Sequence, residues 1–305
     1  MKILAFGGIL PSAAEQLKKL GDVTLDKMET EEKLCELIRD ADALVIRSKP
    51  HVTKKAIESA ENLRVIGRAG VAITNIDQDA QELCKERGIK IVNTPRSTTN
   101  SVAELTIGLA LAMLRNIPEG TISLRSGQWD RKKLTGHELQ GKNWGVVGCG
   151  NIGKKVAQLA QAFGCKIYGC DPKIDEKTCQ GLCIEKARDI GHILEAADIL
   201  SIHVPLLDAT RGMINKGALS KMKDGSYLIN IARGPIVVLD DLLEALESGK
   251  LAGVALDVYD KEPPEPHPIF GHPNTVITPH LGASTSEGQD RSMTDLISEL
   301  EKLLT

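Results

Sequence analysis

Residues 144 to 171 read WGVVGCGNIGKKVAQLAQAFGCKIYGCD, and this stretch decides the fold. A short apolar run leads into three spaced glycines, Gly148, Gly150 and Gly153, and a helical pattern, a second apolar run and Asp171 follow. In a strand, turn, helix and strand unit, such glycines turn the chain sharply, let the backbone approach a pyrophosphate and let the helix pack on the strand. The order predicts a Rossmann-type doubly wound parallel sheet, against the alternative of a glycine-rich turn in an unrelated α/β protein.

The same stretch also predicts the cofactor. A helix that begins at Asn151 and Ile152 presents free N–H groups and the positive end of its dipole to a phosphate. Asp171 follows Gly153 by 18 residues, close to the roughly 20 residues at which a carboxylate binds a ribose 2′-hydroxyl. Because this carboxylate would repel a 2′-phosphate, NAD is favoured over NADP.

The composition narrows the class of function. The chain has 305 residues, of which 42% are hydrophobic, and a formal net charge of −3. Two domains of ordinary size fit this length. Lysine and arginine form no long block, so we expect no nucleic-acid partner. No apolar run reaches the roughly 18 residues of a membrane span, so we expect no membrane partner.

The spacing of the seven cysteines bears on whether the protein binds a metal. None forms a CxxC pair, so we expect no zinc or other metal site. Cys149, Cys165 and Cys170 lie in apolar runs and are interpreted as small reduced core residues. This usage favours a cytoplasmic protein.

The rest of the chain predicts a second, smaller, flavodoxin-like α/β domain that is split across the termini. Residues 1 to about 95 alternate strand and helix patterns without a glycine fingerprint, and the helical pattern of residues 289–304 should return to them. We therefore predict a substrate-binding domain of residues 1–97 and 284–305 and an NAD-binding domain of residues 98–283. The capping-box spacing of Ser101 and Glu104 predicts the start of an apolar helix that ends before Pro118. The cleft between the domains is the expected active site.

Polar groups follow two predicted strands of the first domain. Arg47 and Ser48 come after ALVI, and Arg68, Ala69 and Gly70 come after VIG. Ligands of open α/β sheets bind outside the carboxyl ends of the strands, so the two arginines are candidate anion-binding residues. Surface arginines that pair with nearby carboxylates are the alternative.

Ionisable residues also follow the later strands of the nucleotide-binding domain. Alcohol oxidation needs a base for the hydroxyl proton, and the imidazole of His280 suits that role. A carboxylate on its other ring nitrogen would fix the tautomer, which makes Glu262 its predicted partner. An arginine can hold a substrate carboxylate through two parallel hydrogen bonds, which Arg233 could supply.

The chain resembles the D-isomer-specific 2-hydroxyacid dehydrogenase family over nearly its whole length. The matching segments include GKNWGVVGCGNIGKKVAQLAQAFGCKIYGCDP, INIARG, ALDVYDKEPP and TPHLGAST, and the last three are specific to the family. The resemblance is strongest to members that oxidise D-3-phosphoglycerate with NAD, the first step of serine synthesis, in a short form without a C-terminal regulatory domain. It implies a cytoplasmic homo-oligomer, a dimer or tetramer formed through the nucleotide domains, with a basic residue near Arg131 reaching from a neighbouring subunit.

The resemblance also implies roles for individual residues. Arg233, Glu262 and His280 would be catalytic. Arg47, Ser48, Arg68, Gly70 and Val71 would bind the substrate phosphate and carboxylate. The implied NAD contacts are Gly148, Gly150, Asn151, Ile152, Gly153, Asp171, His203, Val204, Pro205, Ala232, Asp257, Gly282 and Ala283.

Four positions depart from the family pattern. Ala72 and Thr74 stand where a glycine and an aspartate are common, and an alanine takes a positive φ only at a cost. Pro235 and Val238 replace a glycine and an acid after Arg233, and Pro235 removes a backbone donor there. We therefore expect an altered substrate loop.

Three functions remain open at this stage. The first is oxidation of 3-phosphoglycerate, which the two arginines favour. A glyoxylate or hydroxypyruvate reductase shares the catalytic residues but needs no phosphate pocket. An NAD-binding regulatory protein is the alternative of another class, although such members carry extra tails or partner grooves that we do not expect from this sequence.

Overall fold

The computed structural model describes residues 1–7, 9, 11–27 and 30–304. The chain divides into two compact units, Met1–Thr99 with Ala283–Thr305, and Asn100–Gly282. Each unit is built around one parallel sheet with helices.

The elements alternate between strand and helix along most of the chain. The strands are β1 (Lys2–Phe6), β2 (Asp22–Asp26), β3 (Ala43–Ile46), β4 (Val65–Arg68), β5 (Lys90–Asn93), β6 (Asn143–Val147), β7 (Lys166–Cys170), β8 (Ile184–Lys186), β9 (Ile199–Ile202), β10 (Ser226–Asn230), β11 (Leu251–Leu256) and β12 (Thr275–Ile277). The helices are α1 (Pro11–Leu20), α2 (Glu31–Leu37), α3 (Lys54–Ser59), α4 (Gln78–Glu86), α5 (Thr99–Leu114), α6 (Ile117–Arg125), α7 (Asn151–Ala162), α8 (Glu176–Gly181), α9 (Ile190–Ala196), α10 (Lys216–Lys221), α11 (Leu239–Glu247) and α12 (Ser286–Leu304).

The first unit holds a parallel sheet in the order β2-β1-β3-β4-β5. This is the flavodoxin-like order, as predicted. Strand β3 is buried along its whole length, which is typical of a parallel strand covered by helices on both faces. Helix α12 completes the unit because Met293 and Leu296 join its core. Gly67 of β4 allows this packing, since a Cβ there would lie 2.9 Å from Leu296 Cδ1.

The second unit holds a parallel sheet in the order β12-β11-β10-β9-β6-β7-β8. Strand β6 has β7 on one side and β9 on the other, so the chain reverses its direction of progress across the sheet there. That reversal marks the switch point at which doubly wound sheets bind ligands, beyond the carboxyl ends of the strands. The predicted Rossmann-type topology is confirmed, and β6 ends directly before the glycine turn.

One end of the apolar helix differs from the sequence-based expectation. Helix α5 begins at Thr99, so Ser101 lies inside the helix, where it is buried, and does not cap it. The packing of this apolar helix outweighs the local capping signal. The predicted end is confirmed, because α5 ends at Leu114, and Pro118 lies in the first turn of the next helix, α6, where its missing N–H has no helical partner to lose.

Among the residues that the structure describes, no helix is long and apolar enough to cross a membrane.

Candidate active site

The glycine turn after β6 is built by close backbone approaches. Gly148 has a φ of +92°, and a Cβ there would lie 2.7 Å from the carbonyl oxygen of His203. A Cβ on Gly153 would overlap the Gly148 oxygen, so helix α7 can sit this close to the turn only with glycine. Gly150 has open space where its Cβ would be. The two outer glycines therefore shape the turn, and the middle one leaves room for a ligand.

Asp171 is tied to the same turn. Its Oδ2 accepts the Cys149 N–H at 2.8 Å, and its Oδ1 accepts the Lys173 N–H at 2.7 Å. The N-cap of α7 is Gly150, which offers no side-chain cap to the first amides of this 12-residue helix. The turn, the open helix end and the carboxylate thus form one piece that fits the pyrophosphate and ribose of a dinucleotide.

His203 follows β9 and faces the turn. Its backbone N–H donates to the Val147 oxygen at 2.7 Å, and Val204 Cγ1 would lie 2.8 Å from a Cβ on Gly148. The side chain of His203 is partly exposed, but its Nε2 lies 2.9 Å from the buried Ser201 Oγ. Ser201 Oγ also accepts the Trp144 Nε1–H at 2.9 Å. Because burial lowers the pKa of this imidazole to about 3, His203 is neutral at ordinary pH.

Asp257 holds the chain segment on both sides of His280. It is fully buried after β11. Its Oδ1 accepts the Thr278 hydroxyl at 2.6 Å and the Leu281 N–H at 2.7 Å, and its Oδ2 accepts the Gly282 N–H at 2.8 Å. Oδ2 keeps the capacity to accept a further hydrogen bond. The Asp257 carboxylate therefore fixes the segment of residues 278–282 through these three hydrogen bonds.

Glu262 and His280 are in direct contact. His280 Nδ1 lies 2.6 Å from Glu262 Oε2, and both residues are exposed. His280 has a φ of +53°, and its backbone N–H donates to the Thr278 oxygen at 3.0 Å. The Glu262 carboxylate accepts a hydrogen bond from Nδ1–H, which leaves Nε2 as the unprotonated nitrogen of the neutral ring. The contact on which the predicted proton relay depends is thus present.

Arg233 lies after β10 and is electrostatically coupled to this pair. Burial lowers the pKa of its guanidinium, and the Glu262 carboxylate acts in the opposite direction. The side chain of Asn230 holds the backbone of Ala232 and Arg233. Its Nδ2 donates to the Arg233 oxygen at 2.9 Å, and its Oδ1 accepts the Ala232 N–H at 3.2 Å. The fully buried Asn230 thereby fixes the position of the arginine.

The departure at Pro235 lies in a short 3-10 turn over Gly234–Ile236, and the departure at Val238 lies at the start of α11. Pro235 lies in the first positions of that turn, where the missing N–H breaks no helical bond, and its oxygen accepts the Gly212 N–H at 2.8 Å. Val238 precedes α11 without a side-chain cap, but Asp240 and Asp241 lie in the first turn of that helix. These acids interact favourably with the helix dipole.

In the first unit, hydrogen bonds hold the loop after β3. Asn75 is buried, and its Nδ2 donates to the oxygens of Arg47 and Pro50, at 3.2 Å each. The guanidinium of Arg47 has no hydrogen-bond or ion-pair partner among the described residues and is partly exposed, and Ser48 is exposed. The loop backbone is therefore fixed, and the Arg47 guanidinium is available to an anion.

The loop after β4 is held by Asn93 and Thr94. The Thr94 hydroxyl accepts the Gly70 N–H at 2.8 Å, the Thr94 N–H donates to the Gly70 oxygen at 3.0 Å, and Asn93 Nδ2 donates to the Val71 oxygen. Ala72 does not have a positive φ. Ala72 therefore brings no positive-φ cost to this loop, and the expected effect of Ala72 and Thr74 on the substrate loop stays a prediction.

Comparisons with known proteins agree with this geometry. Residues 107–282 match the family model described as "D-isomer specific 2-hydroxyacid dehydrogenase, NAD binding domain". The chain belongs to this family. The family model also supports NAD as the cofactor of this chain.

Two curated relatives within the family carry different activities in their names. D-3-phosphoglycerate dehydrogenase of Methanocaldococcus jannaschii is 43% identical over 100% of this chain and 57% of its own length. Hydroxypyruvate reductase of Thermotoga maritima is 42% identical over 93% of this chain and 91% of its own length. The chain spans about half the length of the phosphoglycerate dehydrogenases it matches.

Solved structures of similar proteins share the whole fold. The TT0316 protein from Thermus thermophilus matches with a TM-score of 0.90 and 32% identity over 100% of this chain and 97% of its own. A glyoxylate reductase from Paecilomyes thermophila matches with a TM-score of 0.89 and 29% identity over 100% of this chain and 95% of its own. The two-unit α/β architecture is therefore that of the family.

Sequence reasoning missed the residues that support the family's motif residues. Asn75, Asn230 and Tyr259 carry no charge and follow no periodic pattern, yet each donates or accepts hydrogen bonds beside a predicted site residue. Asn230 and Tyr259 lie at or just after a strand end, whereas Asn75 lies in the loop between β4 and α4.

Proposed function

We propose that the protein oxidises D-3-phosphoglycerate to 3-phosphohydroxypyruvate with NAD, the first step of serine biosynthesis. The observation that carries the proposal is the contact between His280 Nδ1 and Glu262 Oε2 at 2.6 Å beyond the carboxyl edge of a nucleotide-binding sheet. The names of relatives that are about 40% identical support the substrate.

His280 acts as the base of the proposed reaction. Its Nε2 accepts the hydroxyl proton of the substrate, while Glu262 keeps the proton on Nδ1 and stabilises the imidazolium that forms. Arg233 holds the substrate carboxylate, and its charge also favours the developing carbonyl oxygen. NAD, when bound, supplies the hydride acceptor. In the reverse direction, the protonated His280 returns its proton to the oxygen of the keto acid.

Residues of the nucleotide unit would hold NAD in the proposed reaction. Gly150, Asn151, Ile152 and the rest of the glycine turn face the pyrophosphate, and Asp171 binds the adenine-side ribose. The remaining acceptor capacity of Asp257 suits the carboxamide of the nicotinamide. His203, Val204, Pro205, Ala232 and Gly282 follow the strands of the same sheet edge.

Arg47 and Arg68 are proposed to bind the substrate phosphate. Both follow strands of the first unit at the carboxyl edge of its sheet. The Gly70 N–H already donates to the Thr94 hydroxyl, so Gly70 would contribute the shape of the loop, and the donor offered to the anion is the backbone amide of Val71, which is 36% exposed. A guanidinium and backbone N–H groups together form a typical anion site.

Hydroxypyruvate reduction is the second candidate, because a relative 42% identical carries that name. It uses the same relay but has no phosphate to bind. The test is a pair of steady-state assays: kcat/KM for the reduction of 3-phosphohydroxypyruvate and for the reduction of hydroxypyruvate, each at saturating cofactor. A kcat/KM for hydroxypyruvate that exceeds the value for 3-phosphohydroxypyruvate would replace the first function with the second.

We also propose that the protein is a cytoplasmic homo-oligomer that associates through α6. Ile122 and Leu124 of this helix are 65% and 60% exposed, and Trp129 is 79% exposed. Arg131 follows this apolar patch and is the residue proposed to reach a neighbouring subunit. All seven cysteines lie in the part of the chain that the structure describes and are unpaired, which suits a reducing compartment.

Light scattering tests the assembly. We expect a dimer or larger species for the parent protein and a monomer for the double variant Ile122→Glu, Leu124→Glu, because two buried carboxylates oppose association. The control, Leu25→Glu, changes a residue of the first unit that is 49% exposed and should keep the oligomer. A parent protein that is monomeric at micromolar concentration contradicts the proposal.

A further inference from the structure

Tyr259 lies between the segments that carry the three proposed catalytic side chains. It follows β11, is 8% exposed, and packs edge-on against Phe270 with ring centroids 5.4 Å apart. Burial raises the pKa of its phenol, so the hydroxyl remains protonated and acts as a donor. The ring is thus anchored in the core, and the hydroxyl points at backbone carbonyls.

The hydroxyl supports the turn that presents His280. It donates to the Thr278 oxygen at 2.9 Å, with the Leu256 oxygen farther away at 3.3 Å. The same Thr278 oxygen accepts the His280 N–H at 3.0 Å. One carbonyl therefore receives both the phenol and the backbone amide of the proposed base, and its position sets that of the imidazole.

The backbone of Tyr259 contacts the other two segments. Its N–H donates to Glu262 Oε1 at 3.2 Å, while Oε2 of the same carboxylate binds His280. Gly234, the neighbour of Arg233, lies so close that a Cβ there would overlap the Tyr259 backbone. A single residue thus touches the chain segments of the base, its carboxylate partner and the arginine.

We propose that Tyr259 is a positioning residue whose hydroxyl holds His280 in register with Glu262. The inference rests on the proposed function, because it assigns Tyr259 to the same proton relay. Asp257 holds the same 278–282 segment through separate hydrogen bonds, to the Thr278 hydroxyl and to the N–H groups of Leu281 and Gly282. Without the phenol, the Thr278 carbonyl loses one of its two donors and the turn at residue 279 loosens.

The test is Tyr259→Phe, which removes one oxygen and keeps the ring that packs on Phe270. The matched control is Tyr227→Phe. Tyr227 has the same 8% exposure in the same unit, and its hydroxyl has no hydrogen bond within the part of the chain that the structure describes. Melting temperatures of both variants establish that each is folded.

We expect Tyr259→Phe to lower kcat about fivefold for 3-phosphoglycerate or hydroxypyruvate, the size expected from one lost hydrogen bond. The KM for NAD should change less than twofold, and Tyr227→Phe should change neither quantity. Proton NMR of the cofactor-free protein supplies a second readout: the Nδ1 proton between His280 and Glu262 should give a downfield resonance that broadens in Tyr259→Phe only. A variant with parental kcat and an unchanged resonance overturns the inference.

His280→Ala distinguishes a wrong positioning role for Tyr259 from a wrong proposed function. If Tyr259→Phe is neutral while His280→Ala is inactive, the relay stands and the positioning role is wrong. If His280→Ala keeps parental turnover, the relay itself is wrong and the role of Tyr259 falls with it.

Discussion

The two parallel sheets carry their proposed site residues in different ways. In the nucleotide unit, the side chains bond to the site itself: Asp171 accepts the amide of Cys149 in the glycine turn, and Glu262 contacts His280. In the first unit, Asn75 and Thr94 bond to the loop backbone beside Arg47 and Gly70. The proposed cofactor and proton-transfer groups are therefore held through their own side chains, whereas the residues proposed to bind an anion lie in loops that are held through their backbone.

The difference matches what each half must do in the proposed reaction. Proton transfer depends on orientation within a fraction of an ångström, so a pre-bonded carboxylate and imidazole are favourable. Binding a phosphate depends on charge, and a guanidinium on a flexible stem meets that need with less positional accuracy. Substitutions in the two halves should consequently affect different kinetic constants.

The largest expected effect comes from removing the base. His280→Ala should lower kcat by about a hundredfold to ten-thousandfold, the range of general acid–base catalysis, with little change in NAD binding. Steady-state kinetics and a fluorescence titration with NADH measure the two quantities. His137→Ala, at an exposed histidine of the same unit, should behave like the parent. Loss of NADH binding together with kcat would mean that the substitution disturbs the cofactor site and not the relay.

Removing a charge from the first unit should give the next largest effect, on KM. Arg47→Gln should raise KM for 3-phosphoglycerate about tenfold to a hundredfold, since a charge-assisted bond contributes roughly 1.5–3 kcal/mol. Turnover of hydroxypyruvate, which has no phosphate, should remain within twofold. Arg64→Gln is the control because Arg64 is exposed at the opposite, amino end of β4. Equal losses with both substrates would place Arg47 on the carboxylate and contradict its assignment to the phosphate.

The carboxylate of the nucleotide unit should govern the choice of cofactor. Asp171→Ser should weaken NAD about tenfold and narrow the preference over NADP, because a repelling charge and a ribose partner are both lost. Isothermal titration with NADH and NADPH measures both affinities. Asp175→Asn, which keeps a cap for the Thr178 amide, is the control in the following loop. An unchanged ratio of the two affinities would show that Asp171 serves the Cys149 amide alone.

The last prediction concerns stability and not activity or affinity. Burial lowers the pKa of His203 from its ordinary value of 6.5 to about 3. Below pH 6.5 the unfolded chain therefore takes up a proton that the folded protein does not bind until about pH 3. This stabilising contribution is full above pH 6.5, and the free energy of unfolding should fall by about 1 kcal/mol for each pH unit as the pH drops through this window.

Urea titrations at several pH values measure this slope. Trp144 fluorescence reports on the unfolding of the nucleotide unit. The parent and each histidine variant also carry Trp129→Phe, so that the exposed indole of residue 129 does not contribute to the signal. His203→Gln should reduce the slope between pH 6.5 and 4, whereas His137→Gln should leave it unchanged. Equal slopes in the two variants would show that His203 is protonated in the folded protein.

Sequence patterns predicted the sheets because both depend on strong, local signals. The spaced glycines predicted the turn, and the fully apolar runs ALVI and VIG predicted buried parallel strands. The residues at strand ends were also predictable, since parallel strands deliver their carboxyl ends to one edge. The contact between Glu262 and His280 was expected on chemical grounds, and the two lie 2.6 Å apart.

The supporting hydrogen bonds could not be predicted in the same way. Asn230 and Asn75 bond to backbone atoms, which every residue carries, so no partner is visible in the sequence. The start of α5 was misplaced because Ser101 and Glu104 have cap spacing but the helix already begins at Thr99. Tertiary packing decides such cases, and it depends on residues far away in the chain.

Because the first unit is built from two separate parts of the chain, the two units should complete their folding at different times during synthesis. Its sheet is encoded before residue 100, but Met293 and Leu296 of α12 belong to its core and are made only after the nucleotide unit. The nucleotide unit, encoded by Asn100–Gly282, has all of its strands before α12. We therefore expect the nucleotide unit to fold on the ribosome before the first unit is complete, because the core of the five earlier strands lacks its α12 residues until that helix is made.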